Sequence, residues 1–311
     1  MKLIFCGTPQ FAVPSLERLQ RAGHGIALVV TQVDRPRGRG MELALSPVKQ
    51  KALELGLPIT QPEKIKNNTE LRAQLESLAP DAIIVVGYGR IIPPWMLALP
   101  KCGNINLHAS LLPKYRGAAP IQWAIARGEQ VTGNTTMHLD EGLDTGDILL
   151  QETLPIADDD TAATLAPRLA ASGAELLAKT LSGLEAGSIV PRKQVDAAAT
   201  LAPVLQKEDG RVDFARSAAE IRNRLRGFQP WPGAFTTFRG KTLALHSVSV
   251  AQGGPSLAPG ELQVSGGRLL AGCGQQDAME LLELQLEGKR RMGTREFLNG
   301  YHPHPGERLG A

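Results

Sequence analysis

Two hydrophobic rhythms follow one another along this chain, and the change between them limits the fold more than any bulk property. In the first third, strand-length apolar runs alternate with segments of helical spacing. Leu3 to Cys6, Ile26 to Thr31, Ala82 to Gly87 and Asn104 to Leu107 are the apolar runs. Between them, Phe11 to Ala22 spaces Phe11, Leu16 and Leu19 as a helix does and stops at Gly23. Ser46 to Leu55 opens on Ser-Pro, a good helix start, and ends at Gly56, while Pro93 to Leu99 suits a short helix. This rhythm predicts a parallel, doubly wound sheet, in which ligands sit beyond the carboxyl ends of the strands. Function is therefore sought in the loops after Cys6, Thr31, Val86 and Leu107.

A long helix is expected from Thr161 to Leu184, opened by Asp158-Asp159-Asp160 and closed near Gly187. After an Ala-rich stretch the second rhythm begins. Short apolar-polar alternations at Ala234 to Phe238, Thr242 to Val250 and Arg268 to Ala271 are separated by Gly/Pro-rich turns, the pattern of a small antiparallel β domain. The expected architecture is an α/β, Rossmann-like, mostly parallel sheet over residues 1–189, a linker over 190–206 and a C-terminal β-barrel of OB-like kind over 207–311. The first βα turn reads Gly7-Thr8-Pro9 rather than Gly-x-Gly-x-x-Gly, so a dinucleotide is not implied.

Composition excludes several function classes. A chain of 311 residues with 42% hydrophobic content can build packed cores, and a net charge of +3 is not that of a histone-like polycation. Nucleic-acid binding remains open, because it needs a local basic surface rather than a basic average. Cys6, Cys102 and Cys273 are far apart and form no C-x-x-C pair, which argues against a zinc ribbon or a disulfide framework and fits a reducing cytosol. The N-terminal apolar run ends at Gly7, too short for a signal core, and no apolar stretch is long enough to cross a bilayer. A cytoplasmic, untargeted protein is expected.

The segment from Asn104 to Pro113 carries the sharpest chemical signal. Side chains alternate along a strand, so Asn106 and His108 emerge on the same side at its carboxyl end. An amide N–H can donate to an oxyanion, and an imidazole can move a proton near neutral pH. A buried Asn and His that merely satisfy nearby backbone groups give the same pattern. Gly133 to Leu149 holds two strand-like runs around a turn rich in Gly and Asp. Its acids either form the turn or supply a carboxylate that orients the imidazole. His138 is read as an ordinary surface or core histidine.

Together these segments resemble the folate-dependent formyltransferase family. The resemblance implies a catalytic set of Asn106, His108 and Asp144, the last within Asp140-Glu141-Gly142-Leu143-Asp144-Thr145-Gly146-Asp147, where Glu141 occupies a variable position. It implies folate contacts at Ser110, Leu111, Leu112 and Pro113, joined by Ile84, Val86, Gly87 and Tyr88 in a neighbouring strand and loop. The pterin would be held largely by backbone contacts. The expected co-substrate is 10-formyltetrahydrofolate, with no metal and no permanently bound cofactor, and a monomer is expected.

Within the family, Phe5-Cys6-Gly7-Thr8-Pro9-Gln10-Phe11-Ala12 and Thr31 to Gly40 resemble the members that formylate initiator methionyl-tRNA. Residues 34 to 51 hold five Lys/Arg against two acids. Arg35, Arg37 and Arg39, interleaved with glycine, make a flexible phosphate-seeking loop; alternatively the run is simply solvated. Arg222, Arg224 and Arg226, followed by Phe228 and Trp231, form a second candidate tRNA contact or a helix with one solvated side. Lys289-Arg290-Arg291 is another ambiguous basic patch. His302-Pro303-His304 lacks a ligand set and reads as a solvated tail. Members acting on amino-sugar nucleotides share Lys114-Tyr115-Arg116-Gly117 and Pro230-Trp231-Pro232, and they are the rival reading. They are not expected to carry Asp34-Arg35-Pro36 or Gly38-Arg39-Gly40.

Overall fold

The computed structural model describes residues 1–37, 42–251 and 256–310. The chain forms two compact units. Met1–Pro120, Val131–Pro155 and Ala166–Pro203 make the first, and Ile121–Gln130, Ile156–Leu165 and Val204–Ala311 make the second.

In chain order the first half contains strands β1 (Lys2–Gly7), β2 (Gly25–Val30), β3 (Arg35–Arg37), β4 (Glu42–Ala44), β5 (Ile59–Thr60), β6 (Ala82–Val86), β7 (Asn104–His108), β8 (Val131–His138) and β9 (Ile148–Pro155). The helices are α1 (Val13–Arg21), α2 (Pro47–Glu54), α3 (Thr69–Leu78), α4 (Pro94–Leu97), α5 (Pro120–Ala126) and α6 (Ala162–Glu185). Seven strands form one sheet in the order β5-β2-β1-β6-β7-β8-β9. The pairs from β5 to β7 are parallel, and β8 and β9 add antiparallel.

The parallel strands β1 and β6 are apolar on both faces because both are covered. Leu3, Phe5, Ile84, Val86, Ile105 and Leu107 pack with Leu16 and Leu19 of α1, Val48 and Ala52 of α2, and Leu177 and Leu181 of α6. Ile4, Cys6, Ile83 and Val85 pack on the other side with Leu71 and Leu75 of α3 and Met96 of α4. A fully enclosed leucine or isoleucine contributes roughly 1.5–3 kcal/mol, so these two layers hold the strand ends in place. Burial pushes the Cys6 thiol well above its ordinary pKa, whereas Cys102, in the turn before β7, is only half-buried.

The helix starts follow from local chemistry. The Ser46 hydroxyl caps α2 by accepting from the Lys49 N–H at 3.1 Å, with Pro47 in its first turn. Asn68 caps α3 in the same way, accepting from the Leu71 N–H at 2.9 Å. The apolar pattern had not announced α3, whose buried face is only Leu71 and Leu75. The basic segment after β2, expected as a loop, contains an antiparallel hairpin in which Arg35 to Arg37 pair with Ala44 to Glu42. A backbone ladder thus replaces the expected flexibility at its base.

The second unit continues with α7 (Ala218–Gly227), β10 (Ala234–Phe238), β11 (Lys241–Val250), β12 (Leu262–Ser265), β13 (Arg268–Cys273), β14 (Asp277–Leu286), β15 (Met292–Gly293) and α8 (Thr294–Tyr301). Its sheet runs β10-β11-β14-β13-β12, with β15 also on β14, and every pair is antiparallel. Alternate residues such as Leu243 and Leu245, or Leu284 and Leu286, face a core closed by Phe238 and Phe297. Burial raises the pKa of Cys273, on the edge of this core, to about 12. The chain after His302 is not a solvated tail. Glu307 pairs with Arg239 at 2.6 Å, and Leu309 is buried, because the segment closes over the sheet through Leu262 N–H to Glu307 O and Leu309 N–H to Gly260 O.

No helix among the described residues is long and apolar enough to cross a membrane.

Candidate active site

The β7 strand sorts its own side chains. Ile105 and Leu107 enter the core, while Asn104, Asn106 and His108 lie on the opposite side, as period two requires. Asn104 is structural: its amide donates to the carbonyls of Met96 and Leu97, both at 3.0 Å, and so fixes α4. Asn106 and His108 stand nearer the carboxyl end and are 8% and 6% exposed. Among the described residues no group hydrogen-bonds the Asn106 amide, which leaves it able to donate to a ligand.

His108 is held from two sides. Its Nε2 lies 2.8 Å from the Tyr115 carbonyl oxygen. A carbonyl can only accept, so Nε2 carries the hydrogen, a tautomer assigned from its partner. Nδ1 then faces Asp144, whose Oδ2 is 3.6 Å away. The same carboxylate oxygen accepts the Gly117 N–H at 2.8 Å. Asp144 itself sits in the left-handed region, at φ 53°, a conformation that short polar side chains tolerate best. The structure thus brings His108 and Asp144 together, and Asn106 shares the β7 face of His108. Tyr115 and Gly117 stand out in the sequence only within a motif shared with amino-sugar enzymes and not as site residues, since their contributions are a carbonyl and an N–H that any residue carries. The signal for Gly117 is conformational: its φ is 120°, and a Cβ there would lie 2.7 Å from the Ala202 carbonyl oxygen.

The loop from Ser110 to Pro113 leaves the same strand and is stitched to the β8–β9 hairpin. The Thr135 hydroxyl donates to Ser110 O at 2.6 Å and accepts from the Leu112 N–H at 3.2 Å, and Gln151 donates to Leu112 O at 2.9 Å. The Ser110 hydroxyl turns inward to Lys114 O at 2.6 Å. Leu112 is buried, whereas Leu111 and Pro113 are half-exposed. The Leu112–Pro113 peptide is cis.

At the end of β6, the Ile84 and Val86 side chains are wholly enclosed in the core. Gly87 turns the chain with φ 56°, and a Cβ there would sit 2.8 Å from Pro9 Cγ. Tyr88 lies in the same core cluster as Ile83 and Cys6, its hydroxyl is buried with no hydrogen-bond partner among the described residues, and burial raises its pKa above the ordinary value. The Tyr88 carbonyl accepts from Gln32 Nε2 at 2.7 Å, linking the ends of β2 and β6. His138, at the end of β8, is half-buried, and burial lowers its pKa.

The candidate arginines whose side chains are described have different surroundings. Arg35 is exposed on β3, while Arg39 lies outside the described residues. At the hairpin base Asp34 pairs with Lys49 and accepts from Gln61 Nε2 at 2.9 Å, and these partners hold its carboxyl below the usual range. Arg222 donates to Asp158 O at 2.8 Å. Arg224 stacks over Phe228, 4.9 Å from the ring centre, and over Trp123, and donates to Asp209 O. Arg226 is 9% exposed and donates to Asp160 O at 2.8 Å, Ala157 O at 3.2 Å and Asn223 Oδ1 at 2.8 Å. Arg224 and Arg226 therefore depart from the phosphate-facing expectation, because helix α7 turns them onto aromatic rings and backbone carbonyls. Arg290 and Arg291 are exposed and pair with Glu296 and Glu283. Among the described residues no group of three or more His, Cys, Asp or Glu side chains is placed to hold a metal ion.

Residues 1–181 match the formyl transferase family model, and residues 204–302 match that of the formyl transferase C-terminal domain. A methionyl-tRNA formyltransferase of Koribacter versatilis (strain Ellin345) is 66% identical over 310 residues, covering 100% of this chain and 99% of the relative. One of Acidobacterium capsulatum is 64% identical over 311 residues, covering all of both chains. Among solved structures, an N-formyltransferase from Helicobacter canadensis, in complex with folinic acid and dTDP-3-aminofucose, superposes with a TM-score of 0.65 at 18% identity. It covers 90% of this chain and 98% of its own, a likeness of fold.

Proposed function

The chain belongs to the formyl transferase family, and from that membership we propose that it transfers the formyl group of 10-formyltetrahydrofolate to the α-amino group of methionine on initiator tRNA. The observation that carries this reading is full-length identity of 66% and 64% to methionyl-tRNA formyltransferases. The solved sugar enzyme shares only the fold at 18% identity. The protein acts as a cytoplasmic monomer in this reading.

The chemistry follows from the site. Formyl transfer is acyl transfer to an amine, which must be neutral to attack; a free α-amine has a pKa of about 7.7–8.0. Attack on the formyl carbon creates a tetrahedral oxyanion. The Asn106 amide is the uncommitted donor on the β7 face and stabilises that charge. With Nε2 committed to the Tyr115 carbonyl, Nδ1 is the His108 nitrogen that takes the proton lost by the amine. The imidazolium so formed is paired by the Asp144 carboxylate beside it. Collapse breaks the bond from the formyl carbon to the folate nitrogen, and that nitrogen receives the proton. The pterin is placed along Ser110 to Pro113 and the Gly87–Tyr88 turn. Because the Ile84 and Val86 side chains are enclosed, these two residues act through backbone and shape. Arg35, Arg37 and Arg39 meet the tRNA acceptor end, with Arg222 as a second contact.

The test is a direct assay of the protein with 10-formyltetrahydrofolate and charged initiator tRNA, with a dTDP-amino sugar as the competing acceptor. Formylmethionyl-tRNA is the expected product, and formylation of the sugar alone would overturn the reading. His108→Ala and Asp144→Ala should each lower single-turnover rates by at least about a hundredfold without loss of folate affinity. Near-normal rates in both would remove them from the catalytic set.

A further inference from the structure

We propose that Gln194 is a positioning residue for formyl transfer, and that the segment from Gln194 to Ala202, which the sequence presents as a plain linker, holds His108 and Asp144 in register. The proposal rests on the catalytic roles given to those two residues above.

Gln194 uses its whole hydrogen-bonding capacity. Its Nε2 donates to Asp144 O and to Gly146 O, both at 2.8 Å. Its Oε1 accepts from Arg116 Nε at 3.0 Å and Arg116 Nη2 at 2.9 Å. A primary amide has two N–H donors and one oxygen with two lone pairs, so all four positions are filled. The orientation is also unambiguous. A flipped amide would turn its N–H groups towards a guanidinium and its oxygen towards two carbonyls. Arg116 is in turn anchored at 7% exposure, with Nη2 also donating to Asp196 Oδ1 at 2.8 Å.

The rest of the segment secures the other partner of His108. The Tyr115 N–H donates to Thr200 Oγ1 at 2.9 Å, and the Arg116 N–H donates to Thr200 O at 2.8 Å. The Ala202 N–H donates to Arg116 O at 2.7 Å, and Arg116 and Leu201 form a parallel bridge. One stretch of chain thus grips two loops: the one that presents the Tyr115 carbonyl to His108 Nε2, and the one that presents Asp144 to Nδ1. Both contact residues have left-handed backbone, Tyr115 at φ 64° and Asp144 at φ 53°. Such conformations in non-glycine residues persist when their surroundings hold them.

Two substitutions separate positioning from anchoring. Gln194→Met keeps the length and removes every hydrogen bond. Gln194→Glu keeps, and strengthens, the attachment to Arg116 but has no N–H for the carbonyls of Asp144 and Gly146. Both should lower kcat by roughly tenfold to a hundredfold, the scale of a small misplacement of catalytic groups, with KM for either substrate little changed. In substrate-free protein, the His108 ring resonances in long-range 1H–15N spectra should move in both. Wild-type kcat in Gln194→Glu would overturn the proposal, because anchoring of the linker would then suffice. So would a fall in kcat with unmoved His108 resonances. If Gln194→Met does not fold, Gln194→Glu decides alone. The resonances are read without tRNA or folate, so a wild-type protein inactive on methionyl-tRNA would fail the functional reading without deciding this one.

Discussion

Two runs of three arginines share the same two-residue spacing in the sequence, yet one begins on a strand and the other lies on a helix. Arg35 and Arg37 lie on the hairpin strand β3, and Arg35 is exposed there. Arg222, Arg224 and Arg226 lie on α7, where each residue turns the direction by about 100°, so neighbours two apart diverge by about 200°. The helix therefore cannot present its three charges to one polyanion. It sends Arg222 to Asp158, Arg224 onto aromatic rings and Arg226 into a nest of carbonyls. Spacing alone does not define a phosphate-binding surface; the backbone period that carries it does.

The contrast can be broken or sharpened by substitution. The largest effect is expected at Arg226. Arg226→Ala would leave the carbonyls of Ala157 and Asp160 without their donor and cost about 2–3 kcal/mol of folding stability, read by urea unfolding. The KM for tRNA of the folded fraction should stay as in wild type. A variant of undiminished stability with a raised KM would make the two runs alike.

Next comes Arg39→Ala. It should raise the KM for charged initiator tRNA by about tenfold, equivalent to about 1.4 kcal/mol, with folate binding and unfolding unchanged. Loss of one phosphate contact should reduce the salt slope of tRNA binding by about one. An unaltered slope would assign the hairpin some other task.

Arg224→Lys is a smaller perturbation. Charge is kept, but the planar stack over Phe228 and Trp123 is lost, which should cost about 1 kcal/mol in a thermal or urea melt. An unchanged melt would show that charge alone matters there.

The smallest effect concerns the hairpin base. The Asp34 carboxyl is held low by Lys49 and Gln61, so its contribution is present above the ordinary carboxylate pKa of about 4 and is lost as pH falls through the depressed folded value. Pepsin should therefore cut the hairpin faster as pH drops below that range, and Asp34→Asn should show faster tryptic cutting at neutral pH. Equal cutting of Asp34→Asn and wild type would detach this pair from hairpin order.

What could be read from sequence follows the same division between period and long-range contact. The βαβ rhythm, the antiparallel second unit and the shared face of Asn106 and His108 all follow from local spacing. The partnership of His108 with Asp144 came from the family resemblance, since nothing local predicts that a left-handed residue 36 positions later returns to the imidazole. The Tyr115 carbonyl and the inward turn of Arg226 were not legible at all. A backbone acceptor has no sequence signature, and whether a guanidinium meets solvent or carbonyls depends on what packs beside its helix. The hairpin within the basic loop was hidden for a related reason: its strands are only three residues each.

The sulfur chemistry of the fold has a practical consequence. Thiol reagents attack the thiolate, and burial suppresses that form at Cys6 in β1 and at Cys273 in the second unit. Cys102, half-buried in the turn before β7, is the position left for labelling. A maleimide fluorophore added to the native protein should therefore attach at a single place, six residues before His108. Folate arrival could then be followed as a change in emission, with every natural side chain of the reaction centre intact.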